Sequence, residues 1–168
     1  MMLSKLAEIS LKRQIVKDTL ASPKQFLPWD KINKIAIILN NAEPINKSSL
    51  DKLINDSQKY VEVFFIELQS KQASFGDWYC LTKKDKSFLN LPTKKIISEL
   101  SDKKFDLVIN TCHTNLYASY ITSVLKSPIK CGQTSKFNEV QLIINETEPF
   151  DLMAYLNNVI KYLKMIKN

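Results

Sequence analysis

Residues 105–132 read FDLVINTCHTNLYASYITSVLKSPIKCG, and this stretch decides the fold. FDLVINT (105–111) is a short apolar run of the kind that forms a strand covered on both faces. TNLYASYITSVLKS (114–127) has the composition of a helix, with Thr114 as its expected N-cap. IKCGQ (129–133) returns as a second strand. A strand, a helix and a second strand joined by short loops make the repeating unit of a parallel sheet.

The same pattern extends in both directions. KIAIILN (34–40) and YVEVFFIEL (60–68) read as buried strands, and VQLIIN (140–145) as a further one. NKSSLDKLINDSQKY (46–60) is an amphipathic helix, with Ser48 and Asp51 forming a capping-box-like start. PTKKIISELSDKK (92–104) is a helix with Pro92 near its first turn. In PFDLMAYLNNVIKYLKMIKN (149–168), Leu152, Leu156, Val159, Leu163 and Ile166 recur at three and four residues, a helical period.

Residues 2–20 are also helical in pattern, and Met2, Leu6, Ile9, Val16 and Leu20 fall near one face. Leu3, Leu11 and Ile15 lie elsewhere, so this helix has no single clean stripe. The proline-bearing ASPKQFLPWDK (21–31) is a connector. Residues 70–92 lack a period and read as a long excursion, which leaves open a short edge strand around Trp78–Leu81 or a lid. The expected fold is α/β: a single Rossmann-like three-layer domain over 32–168 with a mostly parallel sheet. An N-terminal helical extension with its connector occupies 1–31. Leu39, Phe64, Leu107, Ile109, Ile121 and Ile143 are its expected core.

Composition bounds the function. A chain of 168 residues, 45% hydrophobic and 24% charged, fits one globular domain. It has no apolar run long enough to span a membrane, and its first twenty residues mix charge with apolar side chains, unlike a secretory leader. Three cysteines (Cys80, Cys112, Cys131) without a CxxC pair make no disulfide framework and suit a reducing compartment, so the cytoplasm is the expected location. The net charge is +7, yet of the 24 basic residues only Arg13 is an arginine. Bidentate recognition of bases and phosphates leans on arginine, so the lysines read as a solvated surface and no specific nucleic-acid partner is expected.

Several chemistries are excluded. With only Gly76 and Gly132, the chain holds neither a dinucleotide GxGxxG fingerprint nor a phosphate-binding P-loop, and no cofactor is expected. Cys80, Cys112, His113 and Cys131 match no zinc spacing, so no metal site is assigned. A Cys–His nucleophile pair is also out of reach, because the single histidine, His113, adjoins Cys112 at a strand end where successive side chains diverge. No catalytic residue is assigned. In open α/β sheets ligands bind beyond the carboxyl ends of the strands, which makes Asn40, Asn41, Thr111, His113 and Thr114 the candidate ligand-binding set. A small anion, such as a nucleotide or sugar phosphate, would sit at the start of the helix that follows. The plainer alternative is a polar loop that only caps that helix.

KKDKSFLNLPTKKIISEL, FDLVINT, NLYASYITSVLKSPIKCGQ and NNVIKYLKMI together resemble a family of small bacterial single-domain α/β proteins, a domain of unknown function. The resemblance covers roughly residues 84–167 and, more loosely, 34–40. It implies the fold and lends no catalytic residues. FDLVI, the small-residue helix ending in LKSP, and IKCG also resemble the N-terminal Rossmann-like half of heptosyltransferase-type glycosyltransferases. In that group a catalytic acid lies in a glycine-containing loop after the first strand. The loop here, NNAEPIN, lacks the glycine pattern, and the second, nucleotide-sugar domain is missing.

The expectation is therefore a non-catalytic binding or protein-interaction module. Its contact surfaces, to a protein partner or a second copy, would be the N-terminal helix and the aromatic segment 74–81, SFGDWYCL.

Overall fold

A computed structural model of the chain describes residues 2–21, 25–41, 45–112, 114–145 and 149–166, with the side chains of 2–4, 19 and 21 left aside. Six parallel strands form one sheet: β1 (Lys34–Asn40), β2 (Tyr60–Glu67), β3 (Tyr79–Thr82), β4 (Leu107–Asn110), β5 (Ile129–Gly132) and β6 (Leu142–Ile143). Their order across the sheet is β3-β2-β1-β4-β5-β6, the doubly wound arrangement. Five helices accompany them: α1 (Met2–Ala21), α2 (Lys47–Ser57), α3 (Lys94–Ser101), α4 (Leu116–Val124) and α5 (Leu152–Met165).

Strand alternation divides the core between two faces. Ile35, Ile37, Leu39, Leu107, Ile109 and Cys131 point to the face covered by α2 and α5. Ala36, Ile38, Phe64, Ile66 and Val108 point to the face covered by α3, α4 and, outside them, α1. Parallel strands covered on both faces must be apolar along their whole length, and the all-buried pattern of β4 shows it. Asp106 fixes the start of the sheet by accepting the N–H groups of Asn33 (2.8 Å) and Lys34 (2.9 Å).

Two strand-to-strand links use no helix. Between β2 and β3 the chain instead folds Phe75 and Trp78 onto Phe65. Phe75 stacks on Trp78 at 4.4 Å and meets Phe65 edge-on at 4.9 Å, so three rings seal the sheet where a crossover helix would stand. Between β5 and β6, the buried carboxylate of Glu139 organises residues 134–140. It accepts from the Ser119 hydroxyl (2.8 Å), the Ser135 hydroxyl (3.1 Å) and the Phe137 N–H (3.0 Å).

α4 is buried from Tyr117 to Val124 because the sheet covers one side and α1 the other. A helix enclosed all round must satisfy its hydroxyls internally. Thr122 donates to the Ala118 carbonyl and Ser123 to the Tyr120 carbonyl, both at 2.8 Å. Across this helix runs the deepest ion pair among the described residues. Lys130 on β5 is 1% exposed, and its Nζ donates to Asp18 of α1 at 2.7 Å and to the Ser123 carbonyl at 3.4 Å.

α1 packs through Ala7, Leu11 and Ile15, while Leu6, Ile9, Val16 and Leu20 face outward. The inward set is the one that shares its face with Asp18. The structure corrects three expectations. First, α4 is capped by Asn115, which accepts from Tyr117 N–H (3.0 Å) and Ala118 N–H (3.1 Å), and Thr114 precedes the cap. Second, α2 is capped by Asn46, accepting from Ser49 N–H at 3.1 Å, so Ser48 falls inside the helix. In both places asparagine, a stronger N-cap than threonine and the equal of serine, takes the extended residue just ahead of the helix. Third, Ile143 is 52% exposed, because β6 is an edge strand and the pleat turns Ile144 inward.

These contacts set an asymmetry between the two faces of α1. Leu11→Ala is expected to cost about 2–5 kcal/mol of unfolding free energy. Asp18→Ala is expected to cost about 3–5 kcal/mol, because it removes the carboxylate that faces a buried ammonium. Ile9→Ala should stay within about 0.5 kcal/mol of wild type. Urea titrations of the three variants check the ranking, and equal losses at Leu11 and Ile9 would contradict the packing of α1.

Candidate functional site

β1 and β4 lie side by side at the point where the strand order reverses. The chain leaves β1 toward α2 on one face and β4 toward α4 on the other, which opens the crevice where doubly wound sheets receive ligands. The register sets Ile38 against Asn110, so Asn40 and Thr111 end neighbouring strands at this crevice. Asn41 follows β1 and is exposed, and Thr114 is exposed just ahead of the α4 cap. His113 lies outside the described residues.

Several donors at this crevice are already engaged within the protein. Thr111 gives both its N–H (3.1 Å) and its hydroxyl (2.9 Å) to the Ile38 carbonyl. The Cys112 N–H is taken by the side chain of Asn110 at 2.9 Å. Asn115 occupies the two amides at the start of α4. An anion at a helix start depends on free N–H groups, and a side-chain cap removes them. Asn110 and Asn115 are the residues that sequence reasoning missed. Their only signal was an asparagine at the end of a strand and another directly before an apolar helix.

Two buried polar atoms on the carboxyl side of the sheet have no hydrogen-bond partner among the described residues: Oε2 of Glu67, at the end of β2, and Nε2 of Gln133, just past β5. They belong to non-adjacent strands, separated in the sheet by β1 and β4.

The three thiols are free and protonated at neutral pH. Burial pushes Cys112 and Cys131 each up to about 12. Burial also raises Cys80, whose Sγ donates to the Phe75 carbonyl at 3.1 Å. A thiol without thiolate character is a poor nucleophile. Among the described residues no cluster of His, Cys, Asp and Glu is assembled to hold a metal, and no helix is long and apolar enough to cross a membrane.

The other notable surface is α1. Its outward side chains Leu6, Ile9, Val16 and Leu20 lie in the open, and its C-terminal half borders a groove of about 580 Å³ lined by Lys12, Ile15, Val16, Leu20, Lys136 and Phe137.

A comparison with known protein families matches residues 4–166, a span that takes in α1, the whole sheet and α5. The chain belongs to DUF6913, a family of unknown function. No curated protein and no solved structure matches it. Membership in DUF6913 therefore brings no catalytic residue with it, and the surfaces above have to be read on their own chemistry.

Thiol titration checks the electrostatics of this region. In native buffer at neutral pH an aromatic disulfide reagent is expected to react slowly with Cys80 and not with Cys112 or Cys131, and all three should react in guanidinium. Fast native labelling of Cys112 would contradict its burial and reopen a role for it at the crevice.

Proposed function

We propose that this chain is a non-catalytic interaction module, an α/β scaffold that presents α1 to a protein partner. The observation that carries the proposal is the outward face of α1. Leu6, Ile9, Val16 and Leu20 stand 47%, 46%, 61% and 84% exposed on a helix whose opposite side is already packed. Large apolar side chains grouped in the open mark an interaction surface more often than a scattered few do. At the strand-end crevice, by contrast, several donors are engaged internally, and burial raises the Cys112 thiol. The aromatic segment 74–81 serves less well as a contact surface, since Phe75 and Trp78 are engaged with Phe65.

In this proposal the protein works in the bacterial cytoplasm, which the unpaired cysteines favour. Its likeness to a heptosyltransferase half is one of scaffold without chemistry. The lysine-rich surface aids solubility and has no specific nucleic-acid target.

The test is affinity capture from lysate of the native host by the wild-type chain and by Ile9→Ser/Val16→Ser. Both residues are exposed, so the double variant should keep the wild-type melting temperature. A protein set retained by the wild type and lost from the variant is the expected result. Identical capture by both would contradict the proposal.

A second proposal, a small anionic ligand at Asn40, Asn41, Thr111, His113 and Thr114, is supported by the strand order and by the orphaned buried Nε2 of Gln133. It is separable by thermal shift. A ligand at about 100 times its Kd stabilises by about 2.7 kcal/mol. A panel of nucleotides and sugar phosphates is expected to leave the melting temperature in place. A shift that His113→Ala/Thr114→Ala abolishes would transfer the function to the strand ends.

A further inference from the structure

On the open face of α1 the residues Leu6, Ile9, Arg13, Val16 and Leu20 are separated by three, four, three and four. That alternation is the seam of a heptad repeat, with Leu6, Arg13 and Leu20 in one row and Ile9 and Val16 in the other. The packed face of the same helix runs through Ala7, Leu11 and Ile15 and is already used. The seam therefore has no function within the fold.

Every charged residue at the borders of the seam is basic. Lys5 and Lys12 flank one side and Lys17, next to Ser10, the other, with Arg13 inside the seam itself. Among the described residues none of these four cations has an ion-pair partner. The two carboxylates on the helix are consumed elsewhere, Glu8 by Lys136 at 3.2 Å and Asp18 by Lys130.

A wall stands beside the seam. Residues 136–138 carry Phe137 along the C-terminal half of α1, closing the groove of about 580 Å³. This wall is pre-set: Glu139 holds the Phe137 N–H, Lys136 is tied to Glu8, and Asn138 takes the left-handed conformation that asparagine tolerates.

We infer that this groove receives an acidic amphipathic helix of a partner protein, one with apolar residues at heptad spacing bordered by glutamate or aspartate. This rests on the interaction proposal above and adds the chemistry of the partner. Helices dock in grooves through residues at i, i+3, i+4 and i+7, which the seam complements. Charge at the flanking positions selects the partner. A second copy of this chain would set Lys12 against Lys17 in a parallel pairing and Arg13 against Arg13 at the centre, so self-pairing is repelled. A helix on a membrane surface also carries lysine beside its apolar face. What favours a partner helix here is the groove: the seam is two rows wide and Phe137 rises along its C-terminal half, a wall that a flat bilayer does not fill.

The full-length chain is titrated against a fluorescein-labelled synthetic helix of three heptads, roughly 21 residues, with leucine at the seam and glutamate at the flanks. The same peptide with lysine flanks and phosphatidylglycerol vesicles serve as the other probes, at about 150 mM salt. Saturable binding of the glutamate peptide, weakened about tenfold or more by Ile9→Ser/Val16→Ser and by Lys12→Glu/Lys17→Glu, is the expected result, with no binding of the lysine peptide. Equal binding of both peptides, preference for the vesicles, or concentration-dependent dimerisation that Ile9→Ser/Val16→Ser abolishes would overturn it. If the glutamate peptide fails to bind while the seam variant still loses host proteins in capture, the acidic-helix inference falls and the interaction proposal stands. If neither responds to the variant, both fall.

Discussion

A lysine ammonium sealed under a helix constrains everything outside it. Lys130 projects from β5 into the layer between sheet and α1, where it is 1% exposed, and Asp18 supplies the opposing charge from α1. Removing one partner of such a pair leaves a bare buried charge, which is far more costly than the pair is stabilising. α1 carries two apolar faces, and the outward one has the bulkier side chains. The pair settles which face goes in. Asp18 stands in line with Ala7, Leu11 and Ile15, spaced by four, four and three residues, so placing the carboxylate on Lys130 turns that row inward. Ala7 then lets α1 approach α4, a helix built with Ala118, Ser119, Thr122 and Ser123 among its buried residues. The heptad seam is left in solvent as the geometric consequence.

Strands and helices were legible because a sheet buried on both faces demands unbroken apolar runs, and KIAIILN, VFFI and LVI are such runs. The small edge strand at Tyr79–Thr82 could be read from the aromatic cluster around it. What could not be read were the outcomes of local competition. Asn115 and Thr114 are both eligible caps, as are Asn46 and Ser48, and the backbone conformation of the entering loop chooses between them. Ile143 sits in an apolar run, but whether it is covered depends on what lies beyond the sheet edge. α1 was the extreme case, since hydrophobicity alone ranks the outward row above the inward one, and only the position of Lys130 in three dimensions reverses the order.

The strand ends show the same limit for function. Sequence position brought Asn40 and Thr111 to the crossover crevice, as the parallel order requires. It did not reveal that Thr111, Asn110 and Asn115 would turn polar groups onto the backbone. The doubly wound architecture is kept here while the chain, with only Gly76 and Gly132, lacks the glycines for close backbone approach to a pyrophosphate, so the fold alone assigns no nucleotide chemistry. In the proposed docking role, the packed inner face of α1 would keep the helix ordered and so lower the entropic cost of binding.

α1 is an integral layer of the domain, held by its inner face with its outer face exposed. Amide hydrogen exchange along residues 5–18, followed by mass spectrometry on the full-length chain, tests this most directly. Protection in α1 that matches α4 and is lost only with global unfolding is the expected result, since helices sharing one core open together. Exchange of α1 at the rate of a free helix, while α4 stays protected, would mean that the helix leaves the domain and that its outward seam is not a fixed surface.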